Sequence, residues 1–149
     1  MWDDQLWFFG TEVLSSEDGV TWARAPPSAP TGIAVVLAFD GRLYTIGDDR
    51  VVRTSDDGAN WPELQTDAPY TFADGAVVAD GRLRVVDEDV WSSSDGVGWE
   101  LVRSGLELGK RVGAVVASRG PSDAHLFFVG GGELVGDELT VFNDVWTSP

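Results

Sequence analysis

The sequence predicts an all-β fold in which four-stranded antiparallel units repeat along the chain, as the blades of a β-propeller do. Three observations lead to this prediction. A Ser-x-Asp-Gly-x-x-Trp pattern occurs three times, an Ala-Val-Val segment recurs in register with it, and no segment has the apolar periodicity of a helix. A period of about 40 residues with four strands per period is typical of a propeller blade.

The first repeated element is a turn, written SEDGVTW, SDDGANW and SSDGVGW in its three copies. Its aspartate can accept hydrogen bonds from backbone N–H groups of the same turn, and its glycine tolerates a left-handed backbone. Its tryptophan can fold back over the hairpin and bury its ring. We therefore assign a structural role, not a catalytic one, to these residues: Ser16, Asp18, Gly19, Trp22, Ser55, Asp57, Gly58, Trp61, Ser93, Asp95, Gly96 and Trp99.

The second repeated element is a hairpin. AVVLAFDGRLYTIG resembles AVVADGRLRVV, and AVVASRG with the following AHLFFVGG is a longer version. The dipeptides Asp40-Gly41 and Asp80-Gly81 supply the positive φ angles of a tight two-residue turn. The pattern predicts that residues 34–39 pair with residues 42–46.

Together the elements define one domain over residues 1–149, with units at approximately 1–31, 32–72, 73–111 and 112–149. We assign three strands to the first unit, four to each of the next two and three to the last, which makes about three and a half blades. Closed propellers have roughly four to eight blades. Three interpretations stay open: a part of a longer propeller, a ring completed by copies of the chain, or an abbreviated four-bladed ring.

At this point the motifs resemble a known family. The Ser-x-Asp-Gly-x-x-Trp turn resembles a shortened Asp-box of the sialidase-like (BNR-repeat) propellers, and DGRLYTIG, VGG and NDVW resemble kelch repeats of the galactose-oxidase type. The resemblance implies a β-propeller whose Asp-boxes lie away from any catalytic face. It also implies an extracellular or periplasmic location, although MWDDQLWFFG is not a recognisable signal peptide.

Catalytic motifs of these families are missing from the sequence. Resemblance to sialidases requires an Arg-Ile-Pro motif, and resemblance to galactose oxidase requires a cysteine-linked tyrosine and two histidines; the chain has no Arg-Ile-Pro, no Cys and only His125. The sequence therefore favours a non-catalytic binding or scaffold module for a protein or glycan ligand. The alternative is a piece of a glycan-active propeller enzyme whose catalytic residues lie outside this chain.

We call the three Ser-x-Asp-Gly-x-x-Trp turns the Asp turns. Blade topology places a second set of loops at the end opposite the Asp turns, where binding loops of irregular length are expected. The candidate residues on this ligand face are Asp48, Asp49, Arg50, Asp87, Glu88, Asp89, Lys110 and Arg111. Asp48, Asp49, Asp87 and Asp89 could hold Ca²⁺, a carboxyl pair among them could serve acid–base chemistry, or all of them could be solvated loop charge. We expect a flexible insert after Gly130–Gly132, and Trp7 is a candidate for stacking on a sugar.

Composition excludes several partners. The net charge of −15 disfavours nucleic acids and acidic membrane surfaces, and no apolar run has the ~20 residues of a membrane span. Absence of cysteine excludes disulfides and thiolate metal sites. No cofactor is expected apart from the Ca²⁺ alternative. A protein or glycan ligand remains, together with self-association or further blades that complete the ring.

Overall fold

The computed structural model describes residues 2–10, 12–24, 33–47, 50–70, 75–108, 111, 113–120, 122–136 and 138–148. These residues form strands and turns, and no helix occurs among them. The strands are β1 (Leu6–Phe9), β2 (Val13–Ser16), β3 (Ala23–Arg24), β4 (Ile33–Phe39), β5 (Arg42–Gly47), β6 (Val52–Ser55), β7 (Gly75–Ala79), β8 (Arg82–Val86), β9 (Val90–Ser93), β10 (Glu100–Arg103), β11 (Val115–Ser118), β12 (Leu126–Val129), β13 (Gly132–Val135), β14 (Glu138–Val141) and β15 (Val145–Thr147). The prediction of an all-β antiparallel chain is confirmed.

The strands form four successive sheets. Sheet I contains β1, β2 and β3, sheet II contains β4, β5 and β6, and sheet III contains β7, β8, β9 and β10. Sheet IV contains β11, β12 and β15, and the hairpin β13–β14 forms a separate pair between β12 and β15 in the chain. Every pairing is antiparallel. Sheets I, III and IV therefore contain the three, four and three strands predicted for their units, whereas sheet II contains three strands where four were predicted.

The predicted Asp-Gly hairpins are confirmed. Strand β4 pairs with β5 through the turn at Asp40 and Gly41, whose φ angles are 48° and 75°. Strand β7 pairs with β8 through Asp80 and Gly81, with φ angles of 50° and 63°. Two consecutive positive φ angles match the right-handed twist of the flanking strands, which explains why Asp-Gly occurs at both turns.

The fourth strand predicted for the second unit is reduced to a single bridge between Arg53 and Glu63. Two backbone hydrogen bonds flank the bridge: the N–H of Thr54 donates to the Pro62 carbonyl over 3.1 Å, and the N–H of Leu64 donates to the Val52 carbonyl over 2.8 Å. Pro62 itself has no N–H to donate, so the ladder is interrupted there. The prediction of four strands in this unit was wrong for that reason.

The segment after Gly130–Gly132 is an ordered hairpin and not the flexible insert that we expected. Strand β13 pairs with β14 over four residue pairs, from Gly132 opposite Val141 to Val135 opposite Glu138. Gly136, with a φ of 63°, lies in the turn. The β-branched residues Val135, Thr140 and Val141 have the strand preference that favours this hairpin.

The core lies between consecutive sheets. Strand β7 packs against β4 on one side and against β11 on the other. One buried cluster joins sheets II and III, and it contains Tyr44, Ile46, Val52, Tyr70, Ala76, Leu83 and Val85. A smaller cluster of Val86, Val90 and Phe128 joins sheets III and IV. Within the described ranges there is no helix of the length and apolar character needed to cross a membrane.

Candidate functional site

Each of the three Asp turns has the same pattern of hydrogen bonds. In each, the serine hydroxyl donates to the aspartate carboxylate, over 3.0 Å in the Ser16 and Ser55 turns and 3.1 Å in the Ser93 turn. The glycine N–H donates to the same serine oxygen over 2.8–2.9 Å. The next two backbone N–H groups donate to the carboxylate over 2.7–3.1 Å.

These hydrogen bonds control the ionisation of the turn carboxylates. Donation from Thr21 and Val20 lowers the pKa of Asp18 from 3.8 to about 2. Donation from Asn60 and Ala59 holds the pKa of Asp57 far below its usual range, and donation from Val97 lowers the pKa of Asp95. Hydrogen bonds to the charged form of a carboxyl stabilise that form. Oδ1 of each carboxylate is therefore a structural acceptor within its own turn.

The turn tryptophans differ in burial. Trp61 is half-buried against the ring of Phe9, 5.8 Å away, and its indole N–H donates to the Gly58 carbonyl over 3.2 Å. Trp99 meets the Tyr70 ring at 5.4 Å. Trp22 is 42% exposed, so the expected burial does not extend to it. Trp61 packs on the sheet that precedes its own, and Trp99 packs on the connector that precedes its own sheet. Trp22 belongs to sheet I, so no earlier sheet of this chain lies beside it.

The predicted ligand face is used largely for internal contacts. Asp87 accepts the N–H of Asp89 over 2.8 Å, and Asp89 accepts the N–H of Gly105 over the same distance. Arg111 is buried and paired with Asp144. Arg50 and Glu88 are exposed, as a ligand contact requires. Asp48, Asp49 and Lys110 lie outside the described residues.

The Ca²⁺ alternative has no assembled site in the part of the chain that the structure describes. There, no group of three or more His, Cys, Asp or Glu side chains is arranged to hold a metal ion. Of the four proposed ligands, Asp48 and Asp49 are not described, and Asp87 and Asp89 already accept backbone hydrogen bonds. His125 is exposed and contacts Asp123, with 2.7 Å between its Nδ1 and the carboxylate.

A groove of about 490 Å³ lies between sheets I and II, at the end that carries the Asp turns. It is lined by Trp2, Asp3, Ala38, Phe39, Asp40, Gly41 and Asp56. The sequence reasoning did not identify this groove, because Trp2 and Asp40 are far apart in the chain. The one available signal was the dense placement of Trp and Asp in MWDDQLW.

Trp2 is held in place at the edge of the groove. A tight turn, closed by hydrogen bonds between the backbones of Trp2 and Gln5, puts Asp3 and Asp4 in left-handed conformations with φ angles of 52° and 54°. The Trp2 indole N–H donates to the Gly41 carbonyl over 3.1 Å. The ring of Trp7 contacts it edge-on at 5.3 Å. The indole is thus pre-ordered by sheet II on one side and by Trp7 on the other.

Asp56 lies in the same groove as an ionised carboxylate. The guanidinium of Arg42 donates to both of its oxygens, over 2.5 and 2.8 Å, and this lowers the pKa of Asp56. Most of the Asp56 side chain remains exposed. The groove therefore combines one oriented aromatic ring with several acceptor oxygens.

A second cavity, of about 220 Å³, opens between sheets III and IV. Its apolar lining includes Val86, Leu106, Leu108, Phe128 and Trp146. Several of these side chains belong to the cluster that joins the two sheets. Its polar lining includes Arg103, Glu107, Thr147 and Ser148.

No model of a known protein family matches the chain, and no curated protein matches it. The kelch and Asp-box resemblance therefore depends on the sequence motifs alone and stays a prediction.

Proposed function

We propose that the chain is a non-catalytic β-propeller module, exported to the periplasm or the cell exterior, that binds a glycan in the groove beside Trp2. The observation that supports glycan binding is the pre-ordered Trp2 indole, which lies with Asp3, Asp40 and Asp56 around one open groove. The propeller assignment is supported by four successive antiparallel sheets with apolar clusters between them. The location is supported only by the family resemblance.

The chemistry of the groove suits a sugar. A pyranose presents an apolar C–H face, which can cover an indole ring, and a rim of hydroxyl groups, which donate to carboxylates. Concave sites with an apolar surface and a few placed polar groups are typical of small-molecule binding. Because Trp2 is already held by Gly41 and Trp7, little ordering free energy is lost when the sugar binds.

Charge narrows the class of glycan. The chain carries a net charge of −15, and the groove adds Asp3, Asp40 and Asp56 with Arg42 as the nearby cation. Anionic glycans are repelled by this field. We therefore expect neutral glycans and, more strongly, amino sugars to bind.

The alternative is a piece of a glycan-active enzyme. A glycosidase needs a carboxylic acid whose pKa is raised so that it can protonate the leaving group. Asp18, Asp56, Asp57, Asp95, Asp123 and Asp144 have shifted pKa values, and all six are lowered. None of these six carboxyls is the acid that such an enzyme needs, so an enzyme of this kind would take its acid from residues outside this chain.

The test is calorimetric titration with three hexasaccharides: a glucosamine oligomer, its N-acetylated neutral form and an anionic heparin fragment. We expect affinity to fall in that order, and Trp2→Ala to abolish it. The matched control is Trp146→Ala, because Trp146 is a partly exposed indole on sheet IV, outside the groove. Binding that survives Trp2→Ala, or no binding of any of the three, contradicts the proposal.

A further inference from the structure

One strand from each of the four sheets can be aligned by register. Leu6, Leu43 and Leu83 each lie opposite the serine that opens an Asp turn, namely Ser16, Ser55 and Ser93. At the other end of each strand pair, Ile46 is opposite Val52, Val86 is opposite Val90, and Val129 is opposite Val145. Strands β1, β5, β8 and β12 therefore occupy equivalent positions.

Alternate residues of these strands point to opposite faces, so each sheet has a leading and a trailing face. In sheet II, we call the face that carries Leu43 and Thr45 the leading face and the face that carries Tyr44 and Ile46 the trailing face. The equivalent faces of the other sheets take the same names. Tyr44 and Ile46 of sheet II pack in one cluster with Leu83 and Val85 of sheet III. Val86 of sheet III likewise packs with Phe128 of sheet IV. Each internal interface thus joins a trailing face to the next leading face.

The leading face of sheet I has no such partner. Leu6 is 38% exposed, whereas the equivalent Leu43 and Leu83 are 3% and 0% exposed. Phe8 is 55% exposed, at a position where Thr45 and Val85 are buried. Apolar side chains on this face stay in water, although the fold buries the same positions in sheets II and III.

The trailing face of sheet IV is open in the same way. Val129 and Val145 lie opposite each other and are 39% and 60% exposed. The equivalent pair in sheet II, Ile46 and Val52, is fully buried. Val115 joins them as a third exposed valine in the same cross-strand row. One chain therefore displays one unpaired leading face and one unpaired trailing face.

The surroundings of the Asp-turn glycines show which side chains lie against the leading face of each sheet. A Cβ on Gly58 would lie 3.2 Å from Cζ3 of Trp7, which is on the trailing face of sheet I. A Cβ on Gly96 would lie 3.0 Å from Cε1 of Tyr44, on the trailing face of sheet II. An aromatic ring of one sheet thus covers the turn glycine of the next sheet.

One aromatic residue and one turn glycine remain outside this pattern. Phe127 occupies the position of Trp7 and Tyr44 on sheet IV, and Gly19 occupies the position of Gly58 and Gly96 on sheet I. Sheet III carries Arg84 at that position. Phe127 has its ring 5.9 Å from the Arg119 guanidinium, and a Cβ on Gly19 would lie 3.3 Å from Leu6 Cδ1 of its own sheet. Among the described residues they are thus the aromatic ring and the turn glycine that lack this contact between sheets.

We propose that two copies of this chain associate head to tail, with the trailing face of sheet IV in one copy on the leading face of sheet I in the other. Phe127 then covers Gly19, and Val129 meets the exposed ring of Trp22, as Phe9 meets Trp61 within one chain. Two copies bring together eight sheets, about the upper size of closed propellers. A heterologous contact made twice by two copies closes into a ring. This association does not depend on glycan binding.

The first test is the solution mass measured by light scattering. We expect wild type to be about twice the 16.0 kDa chain mass, and Phe8→Glu and Val129→Glu each to halve that mass, because each charge lies in both contacts of the ring. The matched control is Leu101→Glu: Leu101 is 51% exposed on β10, the outer strand of sheet III, which takes part in neither proposed contact, and this variant keeps the wild-type mass. A monomeric wild type, or a mass that grows without limit with concentration, overturns the two-copy ring.

The second test mixes the two monomeric variants. Phe8→Glu retains a wild-type sheet IV and Val129→Glu retains a wild-type sheet I, so one intact contact remains and a dimer of one copy of each reappears. Face-to-face pairing of like sheets would instead leave one variant dimeric alone, which overturns the head-to-tail arrangement. Near-ultraviolet circular dichroism checks that each variant is folded. If one is not, Leu6→Lys and Val145→Lys replace the pair, with the same expected masses.

Discussion

Arg111 and Asp144 form a two-pronged ion pair, in which the guanidinium donates to both carboxylate oxygens, over 2.8 Å from Nη2 to Oδ2. The same guanidinium donates to the carbonyls of Leu108 and Gly130 over 2.9 and 3.0 Å and lies 4.2 Å from the centre of the Phe142 ring. The pair ties the connector before β11 to the residue before β15. Arg111 also keeps the pKa of Asp144 far below its usual range.

Arg111→Met tests how much the ion pair between Arg111 and Asp144 contributes to stability. Methionine retains the apolar stem and loses the charged hydrogen bonds, so we expect the free energy of unfolding to fall by about 2 kcal/mol. Urea denaturation followed by tryptophan fluorescence measures it. The control is Arg103→Met, because Arg103 is an exposed arginine of sheet III. Equal stability of the two variants would show that the ion pair contributes nothing.

Acid should destabilise the fold through the Asp turns. The folded-state pKa of Asp18, about 2, lies below its usual 3.8, so its ionised form stabilises the fold above about pH 4. That stabilisation is lost as the pH falls toward 2, and the lowered pKa values of Asp57 and Asp95 act in the same direction. We expect the free energy of unfolding, measured in urea, to fall over this range.

The matched variant for the acid response is Asp57→Asn. It should reduce the slope of stability against pH by about one proton, because asparagine does not titrate. Asp67→Asn, which changes an exposed carboxylate outside the turns, is the control for a change of net charge. An unchanged slope in Asp57→Asn would contradict the role given to the turn carboxylates.

Gly58→Ala and Gly41→Ala separate backbone strain from packing. Both glycines have a positive φ, 70° and 75°, so alanine costs roughly 1–2 kcal/mol at either site. At Gly41 nothing lies within 4 Å of the new methyl group, whereas at Gly58 the methyl meets the Trp7 ring at 3.2 Å. We expect a greater loss of stability in Gly58→Ala, together with a change in tryptophan fluorescence. Equal losses would mean that the ring moves aside freely.

Trp99 and Trp22 have the same place in their turns and different surroundings. The Trp99 indole N–H donates to Thr66 Oγ1 over 3.1 Å and the ring meets Tyr70, so Trp99→Ala should cost about 3 kcal/mol. Trp22→Ala should cost less than about 1 kcal/mol in the Phe8→Glu background, where the proposed contact between copies is absent. Thermal unfolding of both variants in that background checks the difference. Similar melting temperatures would contradict the assigned burial.

The local motifs predicted much of the fold because their geometry is decided within a few residues. Asp40-Gly41 determines its own turn through two positive φ angles, and Ser55 and Asp57 satisfy the backbone of the turn that contains them. The repeat pattern predicted a fourth strand in sheet II, but only one bridge forms there because Pro62 has no N–H to donate to the neighbouring strand. The hairpin of β13 and β14 had a signal in Gly136-Asp137, a hairpin dipeptide that the reasoning did not use.

The candidate site was harder to predict because it depends on distant residues. Asp87, Asp89 and Arg111 were selected for charge in loops, yet their charges bind nearby backbone or Asp144. The groove depends on Trp2 reaching Gly41, a contact across 39 positions of the chain. Composition cannot indicate which of many acidic loops will surround an aromatic ring, since that follows from the packing of sheet I on sheet II.

The covering of Gly58 by Trp7 and of Gly96 by Tyr44 has a consequence for how such a chain can change length. Because sheets I, II and III meet through the same pair of surfaces, a gene duplication that copies residues 33–70 would add a sheet that already fits both neighbours. No new kind of contact would have to evolve, and only the curvature of the whole assembly would need to adjust. Growth by whole units is thus an easier evolutionary step for this architecture than insertion of a single strand.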